Sequence, residues 1–309
     1  MMRRLSATLT LALFTATLGV AAEPVPASPA AASASSGAAT TNANLAVFPE
    51  SIQLDTARDY QSFVATAQRP DGVTLDVSAT AKWKIADPNI AKIEANRIVP
   101  VADGDTELVC DYGSTQLRVP VKVSRSSESL PISFEKDIVP IMTRSGCNTG
   151  SCHGAARGKD GFMISLFGYD PAGDYMRITR QIGMRRVNLA VPEESLFLTK
   201  SAGKVPHTGG KLFGDDSVYY AMMLEWLQAG APKDATPPPS VDKLEIYPAQ
   251  SVIEGEGSTQ RFISVAHYSD GTTRDVTNLS AFMTNNETSA AVDNDGNVTA
   301  GARGEAFIM

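Results

Sequence analysis

The chain has 309 residues, of which 43% are hydrophobic and 20% charged, enough to bury the cores of two or three domains of ordinary size. Its formal charge is −7, from 27 Lys and Arg against 34 Asp and Glu. With no dense Lys/Arg cluster to set against that balance, composition argues against a nucleic-acid partner.

The first 22 residues have the pattern of a secretory signal. Arg3 and Arg4 form a basic start, Leu5 to Val20 an apolar, Thr-rich stretch, and Val20-Ala21-Ala22 offers small residues for cleavage. The stretch is too short and too diluted by polar residues to span a membrane, and no later run of about eighteen apolar residues occurs. The Arg pair faintly resembles a twin-arginine signal. Residues 23–43 are Ala, Ser, Thr and Pro without periodicity, which reads as a disordered tether. The expectation is an exported protein, periplasmic or at the cell surface, with no transmembrane segment in the mature chain.

Residues 44–124 alternate as strands do, and residues 242–309 repeat them. Leu45-Ala-Val-Phe-Pro49 matches Leu244-Glu-Ile-Tyr-Pro248, and Asp71-Gly72 matches Asp270-Gly271. Asp76-Val77 then matches Asp275-Val276, and Trp83 matches Phe282. Short β-rich runs separated by turn signals predict a sandwich, and Asp-Gly between two runs predicts a hairpin, because Gly accepts positive φ at little cost. Cys110, in an alternating strand, reads as a small buried hydrophobe. Asp293-Asn-Asp295-Gly296 lacks the spacing of an EF-hand loop and reads as a turn. These two segments resemble the bacterial immunoglobulin-like domain of group 2, a module of secreted and surface proteins. That resemblance implies contact with a cell surface or polysaccharide. The second copy stops at Phe307-Ile308-Met309, inside an expected strand, so it reads as incomplete and the chain as a piece of a longer protein.

Between the repeats, residues 130–233 have another texture. Ser133 to Met142 carries apolar residues at helical spacing behind a Ser N-cap, and Pro140 bends or ends that turn. Asp216 to Ala229 predicts a second helix, capped by Asp215 or Asp216, with Trp226 on its apolar face and Gly230 as its stop. In front of it lies Cys147-Asn-Thr-Gly-Ser-Cys152-His153. Cys-x4-Cys-His is a widened form of the c-type haem attachment motif, in which two thiols bond the haem vinyl groups and the adjacent His is the proximal iron ligand. In an exported chain a Cys147–Cys152 disulfide, or a metal or bare-thiol role, stays open on the motif alone.

The segment resembles a small cytochrome c domain, more closely the cytochrome c-like domain of large secreted planctomycete proteins that also carry group 2 immunoglobulin-like modules. The resemblance runs through Phe134-Glu-Lys-Asp-Ile-Val-Pro140, Gly146-Cys-Asn-x-Gly-x-Cys-His-Gly154 and Gly161-Phe-x-x-Ser-Leu-Phe-Gly-Tyr-Asp-Pro171. It continues through Arg185-Arg-Val-Asn188, Val205-Pro-His-x-Gly-Gly210 and Trp226-Leu-x-Ala-Gly-Ala-Pro232. It implies one covalent haem c, held by Cys147 and Cys152, with His153 proximal and His207 in the place of the distal ligand. Met163, Met176 and Met184 are lesser candidates for that place. Trp226 and Phe162 are expected to line the haem crevice, and Arg185 and Arg186 to lie in solvent or meet the haem carboxylates.

The expected fold is therefore multidomain: an immunoglobulin-like β-sandwich, a mainly α cytochrome c-like domain and a second, incomplete sandwich. The expected function is one-electron transfer to an unknown redox partner protein. The alternatives are a non-redox adhesion or structural protein with a Cys147–Cys152 disulfide, or the front of a larger enzyme continuing beyond residue 309. No catalytic constellation is apparent within the chain.

Overall fold

The computed structural model describes residues 44–182 and 185–309. The signal pattern at 1–22, the tether at 23–43 and Met184 lie outside these residues. No described helix is long and apolar enough to cross a membrane.

The first module holds ten strands: β1 (Asn44–Phe48), β2 (Ile52–Leu54), β3 (Gln61–Ser62), β4 (Val64–Gln68), β5 (Thr74–Asp76), β6 (Lys82–Ile85), β7 (Ala91–Glu94), β8 (Arg97–Pro100), β9 (Gly104–Tyr112) and β10 (Thr115–Val123). They form three sheets, ordered β1-β4-β5, β2-β10-β9-β6 and β3-β8-β7. Alternate residues point inward, so Val47, Ala65 and Ala67 of one sheet meet Leu108, Cys110, Val119 and Val121 of another in a single core. Cys110 is fully buried, as its alternation predicts, and burial pushes its thiol up to about 11. Asp71-Gly72 makes the expected hairpin turn between β4 and β5. Gly72 takes φ of 91°, and Asp71 Oδ1 accepts from Val73 N at 3.2 Å.

Among its described residues the central segment has four α-helices: α1 (Val139–Arg144), α2 (Pro171–Thr179), α3 (Leu196–Ser201) and α4 (Val218–Gln228). The mainly α expectation for this segment is not met. Its longest helix has 11 residues. Across the described residues strand accounts for 30% and helix for 17%, a balance that fits the immunoglobulin-like sandwich and not a mainly α cytochrome c domain. The physical reason is the backbone between α1 and α2. Gly146, Gly158, Gly161 and Gly168 all sit at positive φ there, and the chain runs in turns rather than a helix.

The first predicted helix is divided. Phe134–Ile138 winds one wide turn with bonds five residues apart, and α1 follows. Ser133 caps it as expected, its Oγ accepting from Lys136 N at 2.9 Å. Pro140 has no N–H to give to the Lys136 carbonyl, and that oxygen accepts from Arg274 of the second module instead, at 3.3 Å. The cap of α4 is Ser217, not Asp215 or Asp216. Trp226 is fully buried, between Phe134 and Phe197 with ring centroids at 5.6 and 6.3 Å.

The second module holds β11 (Val241–Tyr247), β12 (Thr259–Arg261), β13 (Ile263–Tyr268), β14 (Thr273–Asp275), β15 (Ala290–Val292) and β16 (Asn297–Ala300). Its two sheets run β11-β13-β14 and β12-β16-β15, the counterparts of two sheets of the first module. Asp293 closes the β15–β16 turn by accepting from Asp295 N and Asn297 N, which confirms the turn reading.

A shift of 199 residues superimposes the two modules in sequence, and the same shift relates their contacts. Asp275 Oδ2 accepts from Ser62 N at 2.6 Å, and Asp76 Oδ2 accepts from Arg261 N at 2.9 Å. Phe48 stacks on its own counterpart, Tyr247, with centroids 5.7 Å apart. Reciprocal contacts of this kind define an isologous, pseudo-two-fold interface. The central segment is inserted between the partners and tied to both, to the first by Arg58–Glu225 and to the second by Arg274–Asp137.

Candidate functional site

The Cys147–His153 segment forms a closed loop after α1. Cys147 N donates to Met142 O at 2.8 Å, and His153 N donates back to Cys147 O at 3.0 Å. The loop is tight enough that a Cβ on Gly154 would lie 2.0 Å from Asn148 O. Cys147 and Cys152 are both free and part-buried, so no disulfide joins them. Burial, with Cys152 as the next contribution, pushes the Cys147 thiol up to about 12, so it is a neutral thiol at pH 7.

His153 and His207 come from segments 54 residues apart and meet across a cavity of 400 Å³. Their rings are parallel within 8°, with centroids 6.3 Å apart. His153 Nδ1 lies 3.0 Å from Phe162 O, and His207 Nδ1 lies 3.1 Å from Gly210 O. A carbonyl can only accept, so in each ring Nδ1 carries the proton and Nε2 keeps its lone pair, the tautomer of a metal-ligating imidazole. Burial lowers the His153 pKa, which favours the neutral, ligating form, while the Phe162 hydrogen bond works the other way.

Cys147, Cys152, Phe162, Phe197 and Ile164 supply apolar lining. Phe162 is where the sequence places it, against His153 at 4.7 Å between centroids. Trp226 is not in the wall. It stands behind Phe197, and its Nε1 donates to Pro232 O. Met163 and Met176 do not line the cavity, and Met176 is 54% exposed. Of the described candidates for the distal place, the cavity brings only His207 to His153. Arg186, expected as a solvent group or a carboxylate partner, is buried. Its guanidinium lies 4.2 Å above the Phe162 ring and donates to the carbonyls of Arg177, Gln181 and Gly161. It pairs with no carboxylate among the described residues.

A larger cavity of 630 Å³ lies where the three parts of the molecule meet. Its charged groups are already engaged: Arg274 with Asp137, Arg58 with Glu225, Arg97 over Tyr60 and Lys136 over Tyr268. The smaller cavity is the one with two free thiols and two free imidazole nitrogens. What sequence reasoning missed is the backbone role of Phe162 and Gly210, whose carbonyls orient the imidazoles. Side-chain identity carries no signal of that role.

Among the described residues no group of three or more His, Cys, Asp or Glu side chains is placed to hold a metal ion. No protein-family model matches the chain, and no curated protein matches it.

Proposed function

We propose that residues 130–233 bind one haem covalently and carry single electrons. The observation that supports this most directly is the His153–His207 pair beside two free thiols. Two protein ligands are too few for a closed four-coordinate site, but they are what a haem needs, because its own ring supplies the other four positions.

Each residue then has a task. Cys147 and Cys152 would provide the thiols that add across the two vinyl groups, and burial keeps the Cys147 thiol neutral, which disfavours its binding stray cations as a thiolate. His153 and His207 present Nε2, with ring orientation fixed by the Phe162 and Gly210 carbonyls. Phe162, Ile164 and Phe197 exclude water from one side. Arg186 holds a buried positive charge that favours carboxylates nearby. The bound group supplies reversible one-electron chemistry, at a lower potential with two imidazoles than with a His/Met pair. The segment does this on short helices and turns, without the mainly α fold expected for it. The signal pattern at 1–22 supports attachment outside the cytoplasm, and the paired sandwich modules serve as the frame that holds the segment.

The test is expression in a host with haem-maturation machinery, followed by haem staining of the denatured chain. Stain is expected in the wild type and absent from Cys147→Ser/Cys152→Ser. A wild-type chain without stain or Soret absorption contradicts the proposal.

A further inference from the structure

We infer that the Leu166–Tyr169 turn is an insertion tip that seats the central segment on the surface of a zwitterionic phospholipid bilayer. The inference does not rest on the haem reading. Leu166, Phe167 and Tyr169 are 41, 62 and 79% exposed, three large apolar side chains within four residues. They line neither of the two cavities described above. Ala172 and Met176 of α2 are exposed as well. They follow Tyr169 by three and seven positions, a helical spacing that carries the apolar stripe along one face of α2.

The fold holds these side chains out at a cost. Phe167 takes φ of 52° and ψ of 23°, the left-handed region that a bulky residue rarely occupies. The base of the turn is locked. Phe167 N donates to Asn148 O at 3.1 Å. Ser165 is buried, and its N and Oγ donate to the buried Asp174 carboxylate at 2.6 and 2.5 Å. Gly168 lies so close to α1 that a Cβ there would be 2.5 Å from Val139 Cγ1. Side chains left in water by a strained, well-anchored turn add nothing to folding, and exposed apolar groups clustered in this way mark a contact.

Charge and residue order name the contact. No residue from Ile164 to Tyr169 is charged. At the base of the turn, Asp170 and Asp174 both pair with Arg177, at 3.1 and 2.8 Å, so the cation nearest in sequence is already spent. The chain as a whole carries −7, which repels an anionic surface. What the tip offers is apolar burial with an amphipathic shoulder: Leu166 and Phe167 are apolar throughout, and Tyr169 ends in a hydroxyl. A bilayer interface sorts side chains in the same order, with tyrosine at the level of the headgroups and aliphatic and phenyl groups below it.

Two measurements on the full chain test this, both with phosphatidylcholine vesicles. In Phe167→Trp the new indole reports position. Its emission is expected to shift to the blue when vesicles are added and to be quenched by lipids brominated on the acyl chain, with the wild type as the blank for Trp83 and Trp226. An unshifted, unquenched spectrum overturns the tip. Co-sedimentation reports affinity. Phe167→Gly/Tyr169→Ser is expected to lower the partition coefficient about tenfold or more, because it removes the apolar surface to be buried. Glycine accepts the Phe167 backbone without strain, so this variant keeps its fold. Phe307→Ser, on the second module at 64% exposure, is expected to change nothing. The apolar stretch Leu5 to Val20 is common to every variant and cancels in the comparison. Equal losses in the two variants, or binding that requires anionic lipid and disappears with salt, overturn the proposal. So does a dimer that Phe167→Gly/Tyr169→Ser dissociates while the wild type ignores vesicles, which makes the turn a contact between copies. None of these readouts uses haem, so the haem reading stands or falls separately.

Discussion

In the two sandwich modules polar groups are satisfied close to home, whereas the central segment leaves its chemistry open. Asp76 and Asp275 each accept from a backbone N–H of their own module and from one across the interface. Arg69, Arg118 and Arg125 are ion-paired, and Cys110 is sealed in a core. Between them, Cys147 and Cys152 are unbonded, two imidazoles keep free nitrogens, and Arg186 is buried with no counter-charge among the described residues. Polar satisfaction is what a scaffold requires, and its local absence is where function is to be sought.

The largest test of this division is Trp226→Ala. Removing a fully buried indole is expected to cost about 3–5 kcal/mol, read by denaturant unfolding. Loss of the central segment while the β signal persists would show that the modules stand as a separate frame. One shared transition would show that frame and site fold as a unit.

Gly158→Ala probes the site without touching a ligand. A Cβ there would lie 2.2 Å from Phe162 O, the carbonyl that orients His153, on a backbone at φ of 64°. The expected cost is about 1–3 kcal/mol, with a changed ligand field at His153. A wild-type spectrum would remove Phe162 from the account. On the frame side, Asp275→Ala leaves the buried Ser62 N–H without its acceptor and is expected to cost about 1–3 kcal/mol by thermal or denaturant unfolding. Asp76→Ala, at a part-buried site, is expected to cost less, and equal effects would contradict the asymmetry.

The smallest effect is at the seam between frame and segment. The Arg58 hydrogen bond holds the Glu225 carboxyl below its usual 4.5. The contribution of this pair is therefore fully present above pH 4.5 and is lost as pH falls through the lower folded value. Both side chains are about 40% exposed, so the loss is expected to stay below about 1 kcal/mol and to disappear in Glu225→Gln.

The repeat was legible because two copies in register reinforce weak strand signals, and matched turns such as Asp71-Gly72 and Asp270-Gly271 fixed it. The reciprocal use of Asp76 and Asp275 was not legible, since a residue that serves its own turn gives no sign of a partner 185 or 213 positions away. Ser251 to Ile253, the counterpart of β2, forms no strand. In the central segment the motif and His207 could be read from residue type and order. The short helices could not, because the glycines that break the segment up are also what the motif resemblance is made of. The position of Trp226 one layer behind the cavity likewise depends on packing between elements that periodicity leaves unplaced.

The central claim, two parallel imidazoles completing one haem, is tested most directly by electron paramagnetic resonance of the ferric chain. The wild type is expected to give a low-spin, rhombic signal, the signature of near-parallel axial imidazole planes, and His207→Ala is expected to lose it. A wild-type chain that is high-spin, or whose signal survives His207→Ala unchanged, would contradict the account.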